Sequence, residues 1–145
     1  MEVSSSSKKE MEQPHVVVID DCRATRMIIT LLFKKFSCKV TNAESGFEAL
    51  EILGLSDDKQ TSVNDNKIPK VDMISTDYNM PGMNGYELLK KIKQESSTMK
   101  DVPVVIVSSN NDPTLINNCI EAGALMFIPK PLKPSDVEKL MPMMK

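Results

Sequence analysis

Five short apolar runs, each followed by a helix-patterned segment, confine this chain to very few architectures. The runs are "HVVVID" (15–20), "CKVTNA" (38–43), "KVDMIST" (70–76), "VPVVIVSS" (102–109) and "ALMFIP" (124–129). Short and almost continuously apolar, they read as strands buried on both faces, as in a parallel sheet. Segments 21–36, 45–53, 84–94, 112–123 and 133–145 follow them with helical spacing. The pattern is (βα)5: an α/β fold with helices on both faces of a five-stranded parallel sheet. At this size a doubly wound, flavodoxin-like sheet in strand order 2-1-3-4-5 fits better than a barrel.

The helices carry finer expectations. Met27, Ile28, Leu31, Leu32 and Lys35 follow the spacing of the first, with Asp21 placed to cap it. Phe47, Leu50 and Leu53 line one side of the second, and Leu88, Leu89 and Ile92 face inward on the third. The fourth has Asp112 at its cap, Pro113 in its first turn, Ile116, Cys119 and Ile120 on one face and Gly123 at its end. Pro142 should shorten or kink the last.

Composition narrows the function. One domain is expected from 145 residues, 41% of them hydrophobic and 26% charged. A net charge of −2 argues against direct nucleic-acid binding, which needs a basic face. No apolar run approaches the roughly 18 residues of a membrane helix. Residues 1–14 are rich in Ser, Lys and Glu and read as a disordered tail rather than a secretory signal. Segment 54–69 is polar and unpatterned, a surface loop of unusual length. Cys22, Cys38 and Cys119 form no CxxC pair and read as reduced thiols of an intracellular protein. His15, the one histidine, reads as a surface strand residue. Methionine abundance without tryptophan suggests a soft core.

In a doubly wound sheet, sites form beyond the carboxyl ends of the strands. Asp20 and Asp21 fall there after the first strand, Asp77 after the third, Ser108 and Ser109 at the end of the fourth, and Lys130 after the fifth. Three carboxylates at one edge raise one another's pKa unless a cation intervenes. Their hard oxygens suit Mg²⁺, with the Asn79 carbonyl as a further ligand. An ammonium from Lys130 and a hydroxyl from Ser108 could stabilise a phosphoryl group, and Asp77 could be the nucleophile. Each piece alone is more often surface; their shared edge is what makes the pattern informative.

The stretches "VVVIDD", "TDYNMPGMNGYELL", "PVVIVSS" and "FIPKPL" resemble the receiver domain of two-component response regulators over about residues 15–141. The resemblance implies that Asp77 is the phosphoacceptor. It implies that Asp20, Asp21, Asp77 and the Asn79 carbonyl hold Mg²⁺. It makes Ser108 the switch hydroxyl, Phe127 the aromatic switch and Lys130 the phosphoryl contact, with a cis bond before Pro131. The donor would be a histidine-containing phosphotransfer protein, and a downstream protein would read the face of the fourth helix (112–123, α4), fifth strand (124–129, β5) and fifth helix (133–145, α5). The 54–69 insertion and the wording "TDYNMPGMNGYELLKKIK" resemble plant regulators, in particular the receiver-only type-A group tied to negative feedback on cytokinin signalling. With residues 15–145 as receiver and no output domain, the expectation is a monomeric binding switch, not a conventional enzyme, in the nucleus or cytoplasm, without membrane or direct nucleic-acid contact.

Three departures stand out: Ser75 and Thr76 precede Asp77 where aliphatic residues are usual and should soften the third strand, Asn110 and Asn111 follow Ser108, and Pro142 clips the last helix. Alternatives stay open. They are a type-C receiver or phosphate sink, a pseudo-receiver that is never phosphorylated, a haloacid-dehalogenase-type phosphatase and an FMN binder. The phosphatase would want a second acid at position 79, where Asn stands. The FMN binder would want a phosphate loop where "DDCRATR" is acidic.

Overall fold

The computed structural model describes residues 13–55, 70–95 and 98–144. Most of the expected tail (1–14) and loop (54–69) lies outside them. Strands β1 (His15–Ile19), β2 (Lys39–Ala43), β3 (Met73–Asp77), β4 (Val104–Ser108) and β5 (Met126–Pro129) alternate with helices α1 (Arg23–Lys35), α2 (Gly46–Ile52), α3 (Gly85–Glu95), α4 (Pro113–Glu121) and α5 (Pro134–Leu140). All strand pairings are parallel, in the order β2-β1-β3-β4-β5. The expected topology is the one observed.

Every residue of β1, β3 and β4 is buried, because helices cover both faces of the central strands. One core layer joins Val17, Ile19, Ile74 and Ile106 to Leu88, Leu89 and Ile92 of α3. The other joins Val16, Val18, Met73 and Val105 to Phe33 of α1 and Val137 and Leu140 of α5. Ser75 and Thr76 do not soften β3. Both are buried and aligned with β1 and β4, and the Thr76 hydroxyl donates to the Asp77 carbonyl at 3.0 Å. Asp112 accepts from the Thr114 N–H at 2.9 Å and so caps α4. Helix α5 ends at Leu140 and passes into a 3-10 turn at Met141–Met143 around Pro142.

Helix α1 is rotated from its expected phase. Arg26, Ile29, Thr30 and Phe33 face inward, at the i, i+3, i+4, i+7 spacing of one helix face. Met27, Ile28 and Leu31 face out, with Leu31 61% exposed, and Lys35 is exposed. Polar partners inside fix this phase. The Arg26 guanidinium donates to the Asp20 carbonyl at 2.7 Å, and the Thr30 hydroxyl accepts from Asn42 Nδ2 at 2.8 Å. Nor does Asp21 cap the helix: the N-cap is Cys22, without a side-chain cap, and Asp21 is exposed. Phe47 is exposed rather than inward on α2, and Ile120 on α4 is exposed beside buried Cys119.

His15 also departs from expectation, being buried. Its Nδ1 donates to the Lys70 carbonyl at 2.8 Å, because a carbonyl can only accept, and its Nε2 lies 2.7 Å from the Thr41 hydroxyl. Its backbone N–H donates to Asp72 at 2.8 Å. The histidine thus ties β1 to β2 and to the approach to β3, at the sheet end opposite the acids. All three cysteines are free thiols, Cys22 exposed and the other two buried.

The α1 phase has a direct test. Phe33→Ala, truncating a fully buried ring, should cost about 3–5 kcal/mol in urea denaturation. Leu31→Ala should stay within roughly 0.5 kcal/mol. Equal losses at the two positions would contradict the observed phase.

Candidate functional site

The carboxyl edge of the sheet collects the expected residues. Because β1 and β3 are neighbours in the sheet, Asp20 and Asp77 lie side by side. Asp20, just past β1, is fully buried, Asp77 at the last position of β3 is buried, and Asp21 is exposed. One carboxylate oxygen from each of the three lies within 4.8 Å of the others.

Asp20 is held on every polar side. Its N–H donates to the Ala43 carbonyl at 3.1 Å, continuing the β1–β2 ladder. One carboxylate oxygen accepts from the Cys22 N–H at 2.9 Å and the other from Lys130 Nζ at 3.0 Å. Its carbonyl takes the Arg26 bond already described. The Lys130 ammonium also reaches Asp77 Oδ1 at 3.3 Å, and the same oxygen accepts from the Tyr78 N–H at 2.8 Å. A single cation therefore bridges carboxylates from two strands. Lys130 follows β5, and its peptide bond to Pro131 is cis.

Electrostatics differ between the partners. Burial, followed by the Asp20 charge, raises the Asp77 carboxyl above its ordinary value, and Lys130 offsets this only in part. Burial works against the Lys130 ammonium, but its bonds and charges with Asp20 and Asp77 outweigh that and raise its pKa. Three hard-oxygen donors with one ammonium among them leave negative charge uncompensated. That donor set fits a small divalent cation.

The loop after β3 turns back on glycines beside buried Asp77. Gly82 adopts φ +81°, and a Cβ there would meet the Phe47 ring. A Cβ at Gly85 would run into the Asp77 carbonyl oxygen, while the Gly85 N–H donates to the Tyr78 carbonyl at 2.7 Å. The close approach of α3 to the strand end thus requires glycine. Asn84 and Glu87 cap α3 reciprocally at 2.8 and 2.9 Å. Exposed Asn79 lines an open cavity of about 440 Å³ with Tyr78, Met80, Pro81 and Asn84.

Ser108, fully buried at the end of β4, accepts the Asn110 N–H at 3.1 Å, and its carbonyl accepts the Lys130 N–H at 3.0 Å. Phe127 on β5 is half-buried against the first core layer. Arg26 is the contributor that sequence patterning missed. Its signal was available, since 26, 29, 30 and 33 share a helical face as well as the apolar positions do.

This combination of fold and acidic edge agrees with what the chain is similar to. A model described as response regulator receiver domain matches residues 16–141. The two-component response regulator ARR17 of Arabidopsis thaliana is 55% identical over 94% of this chain and 89% of its own length. ARR16 of the same plant is 52% identical over 89% of this chain and 79% of its own. Among solved structures, a response regulator from Chloroflexus aurantiacus aligns with a TM-score of 0.74 at 23% identity, covering 91% of this chain and 98% of that one. The CheX–CheY–BeF₃–Mg²⁺ complex from Borrelia burgdorferi aligns at 0.72 and 25%, covering 91% and 90%. The chain belongs to the response regulator receiver family. Its most similar relatives include plant two-component response regulators.

The Lys130 bridge makes opposite predictions for its two ends. Lys130→Met leaves fully buried Asp20 without its cation and should cost on the order of 2–3 kcal/mol, less than a wholly buried pair because the lysine is partly exposed. Asp77→Asn removes a charge that its surroundings disfavour and should raise the melting temperature at pH 7. Since the folded state raises the Lys130 pKa, its contribution is complete below the ordinary 10.5 and is lost as pH rises through the folded value. Melts from pH 7 to 11 should therefore show the wild-type advantage over Lys130→Met shrinking at the alkaline end.

Proposed function

We propose that this protein is a phosphorylation-controlled binding switch whose phosphoacceptor is Asp77. The observation that carries this reading is the convergence of the Asp20, Asp21 and Asp77 carboxylates at one sheet edge, with the Lys130 ammonium on two of them. The donor is a phosphohistidine on a histidine-containing phosphotransfer protein. An Asp77 carboxylate oxygen attacks phosphorus and forms the acyl phosphate. The phosphorus–nitrogen bond breaks, its electron pair stays on the imidazole, and that nitrogen takes up a proton. Water later hydrolyses the acyl phosphate and resets the switch.

Asp20, Asp21, Asp77 and the Asn79 carbonyl are the groups that would hold Mg²⁺. Such an ion would neutralise charge on the phosphoryl oxygens. Lys130, already against Asp77, contributes a second cation to the phosphoryl group. The Ser108 hydroxyl accepts from Asn110 in the present arrangement and would turn to donate to a phosphoryl oxygen. Its inward movement frees room for half-buried Phe127, which biases the α4–β5–α5 face toward a second state. Exposed Ile120 and Leu125 on α4 and at the approach to β5 give that face apolar surface for a downstream protein. Met27, Ile28 and Leu31 give the donor apolar surface beside the acids.

The similarity to ARR17 and ARR16 supports a plant two-component response regulator with its receiver over residues 15–145; we read it as a monomer of the type-A group, exerting negative feedback on cytokinin signalling. It would work in the nucleus or cytoplasm and not as a conventional enzyme. A type-C receiver or phosphate sink would share the same chemistry.

Purified protein with Mg²⁺ and acetyl phosphate should give an acid-labile mobility shift on phosphate-affinity gels. Asp77→Asn should abolish the shift, and EDTA should suppress it. A shift of equal size in Asp77→Asn would remove the acceptor assignment. No shift in the wild type with any phosphodonor would leave a pseudo-receiver.

A further inference from the structure

We propose that Arg26 is the positioning residue for the acid pair, its guanidinium fixing the peptide plane that joins Asp20 to Asp21. Arg26 is an unusual residue for its location: an arginine on the inner face of α1, only 9% exposed. Arginine is seldom buried unless paired. Among the described residues its guanidinium bonds not a carboxylate but the Asp20 backbone carbonyl, at 2.7 Å. That carbonyl belongs to the peptide unit between the two aspartates. A planar peptide whose oxygen is held by a charged donor is restrained from turning about its flanking bonds.

The other bonds at this turn show why that matters. The Asp20 N–H is fixed by Ala43 and its two carboxylate oxygens by Cys22 and Lys130. The carbonyl is the remaining freedom of the residue, and Arg26 removes it. Downstream of that peptide stands Asp21, exposed and dependent on the turn for its aim. Arg26 is itself anchored in the first turn of α1, where its N–H donates to the Cys22 carbonyl at 2.9 Å. The helix start and the acid pair are therefore locked to each other through one side chain. Among the described residues Thr30, four positions on along the same face, hydrogen-bonds Asn42 and not an acid.

Positioning and plain charge have opposite signs here. A guanidinium near a cation site repels the cation, so its removal by itself tightens metal binding. If Arg26 instead holds the carboxylates in place, its removal weakens binding despite the relief of repulsion. The inference rests on the Mg²⁺ reading for the affinity experiment alone; a second measurement needs no metal.

Arg26→Met keeps an unbranched side chain and removes the donor. In metal-free protein, backbone amide exchange at Cys22 should quicken by about tenfold, the loss of one hydrogen bond's protection. Exchange at Val17 and Val18 should stay as in the wild type. Calorimetric titration with MgCl₂ should show about tenfold weaker binding, as for loss of other groups that orient metal ligands. Thr30→Val should leave both readouts unchanged, even where it lowers the melting temperature as much. Arg26→Lys, with a donor retained, should fall between. Unchanged Cys22 protection, or Mg²⁺ bound as tightly or more tightly by Arg26→Met, would overturn the proposal. Should Arg26→Met not fold, Arg26→Gln, too short to reach the carbonyl, carries the same outcomes. If the wild type itself takes up no Mg²⁺, the metal reading falls and Cys22 exchange alone decides the role of Arg26.

Discussion

A single ammonium lies between carboxylates from two strands, and the arrangement of the sheet edge depends on it. Asp20 is wholly inside the protein, where an unpaired carboxylate would be several kcal/mol unfavourable. Lys130 makes that burial tolerable and at the same time reaches Asp77. The topology explains why a lysine does this. In the order β2-β1-β3-β4-β5, the two acidic strand ends are adjacent, but β5 is two places from β3. The cation must cross the end of β4, and a long flexible side chain can do so. Ser108 at the end of β4 lies under that path, and its carbonyl holds the Lys130 N–H. Ser108 and the bridging lysine are therefore joined through the backbone.

Much of this was legible in the sequence, for a physical reason. Strands buried on both faces must be continuously apolar, so their positions stand out, and parallel topology then decides which ends meet. Asp20, Asp77, Ser108 and Lys130 could be brought together from the strand pattern alone. Helix phase was harder to read. Helix α1 has two candidate faces, and the more apolar one, with Met27, Ile28 and Leu31, lies outside. Polar contacts to β-edge groups, Arg26 to Asp20 and Thr30 to Asn42, settle the rotation, and hydrophobicity does not encode them. His15 was misread for the same reason. A histidine at a strand start looks exposed until Lys70 and Thr41, distant in sequence, supply its partners.

Helix α1 consequently carries different chemistry on its two sides. Its inner face is tied to the acid turn, and its outer face presents Met27, Ile28 and Leu31 to solvent a few residues from the same acids. A partner seated on the outer stripe would press on a helix whose start is fixed to the Asp20–Asp21 peptide. On the function proposed above, donor docking and the geometry of the acid pair are then not independent. The first turn of α1 transmits between them over a distance of one or two residues, without any long path through the core.

Charge explains why such rigidity suits this edge. Three carboxylates converge here against the Lys130 ammonium on two of them and the Arg26 guanidinium on the Asp20 carbonyl, so the resting site keeps a negative surplus. The hard carboxylate oxygens would suit a small divalent cation there. Transfer of a phosphoryl group to Asp77 would replace one carboxylate charge with about −1.5 to −2 and restore the imbalance. The added charge must then draw on groups not yet engaged with the acids. The buried Ser108 hydroxyl is such a group, held among the described residues by a neutral backbone N–H from Asn110 that a charged oxygen can outcompete. On the function proposed above, the resting charge would recruit a cation and the modified charge would recruit the Ser108 hydroxyl.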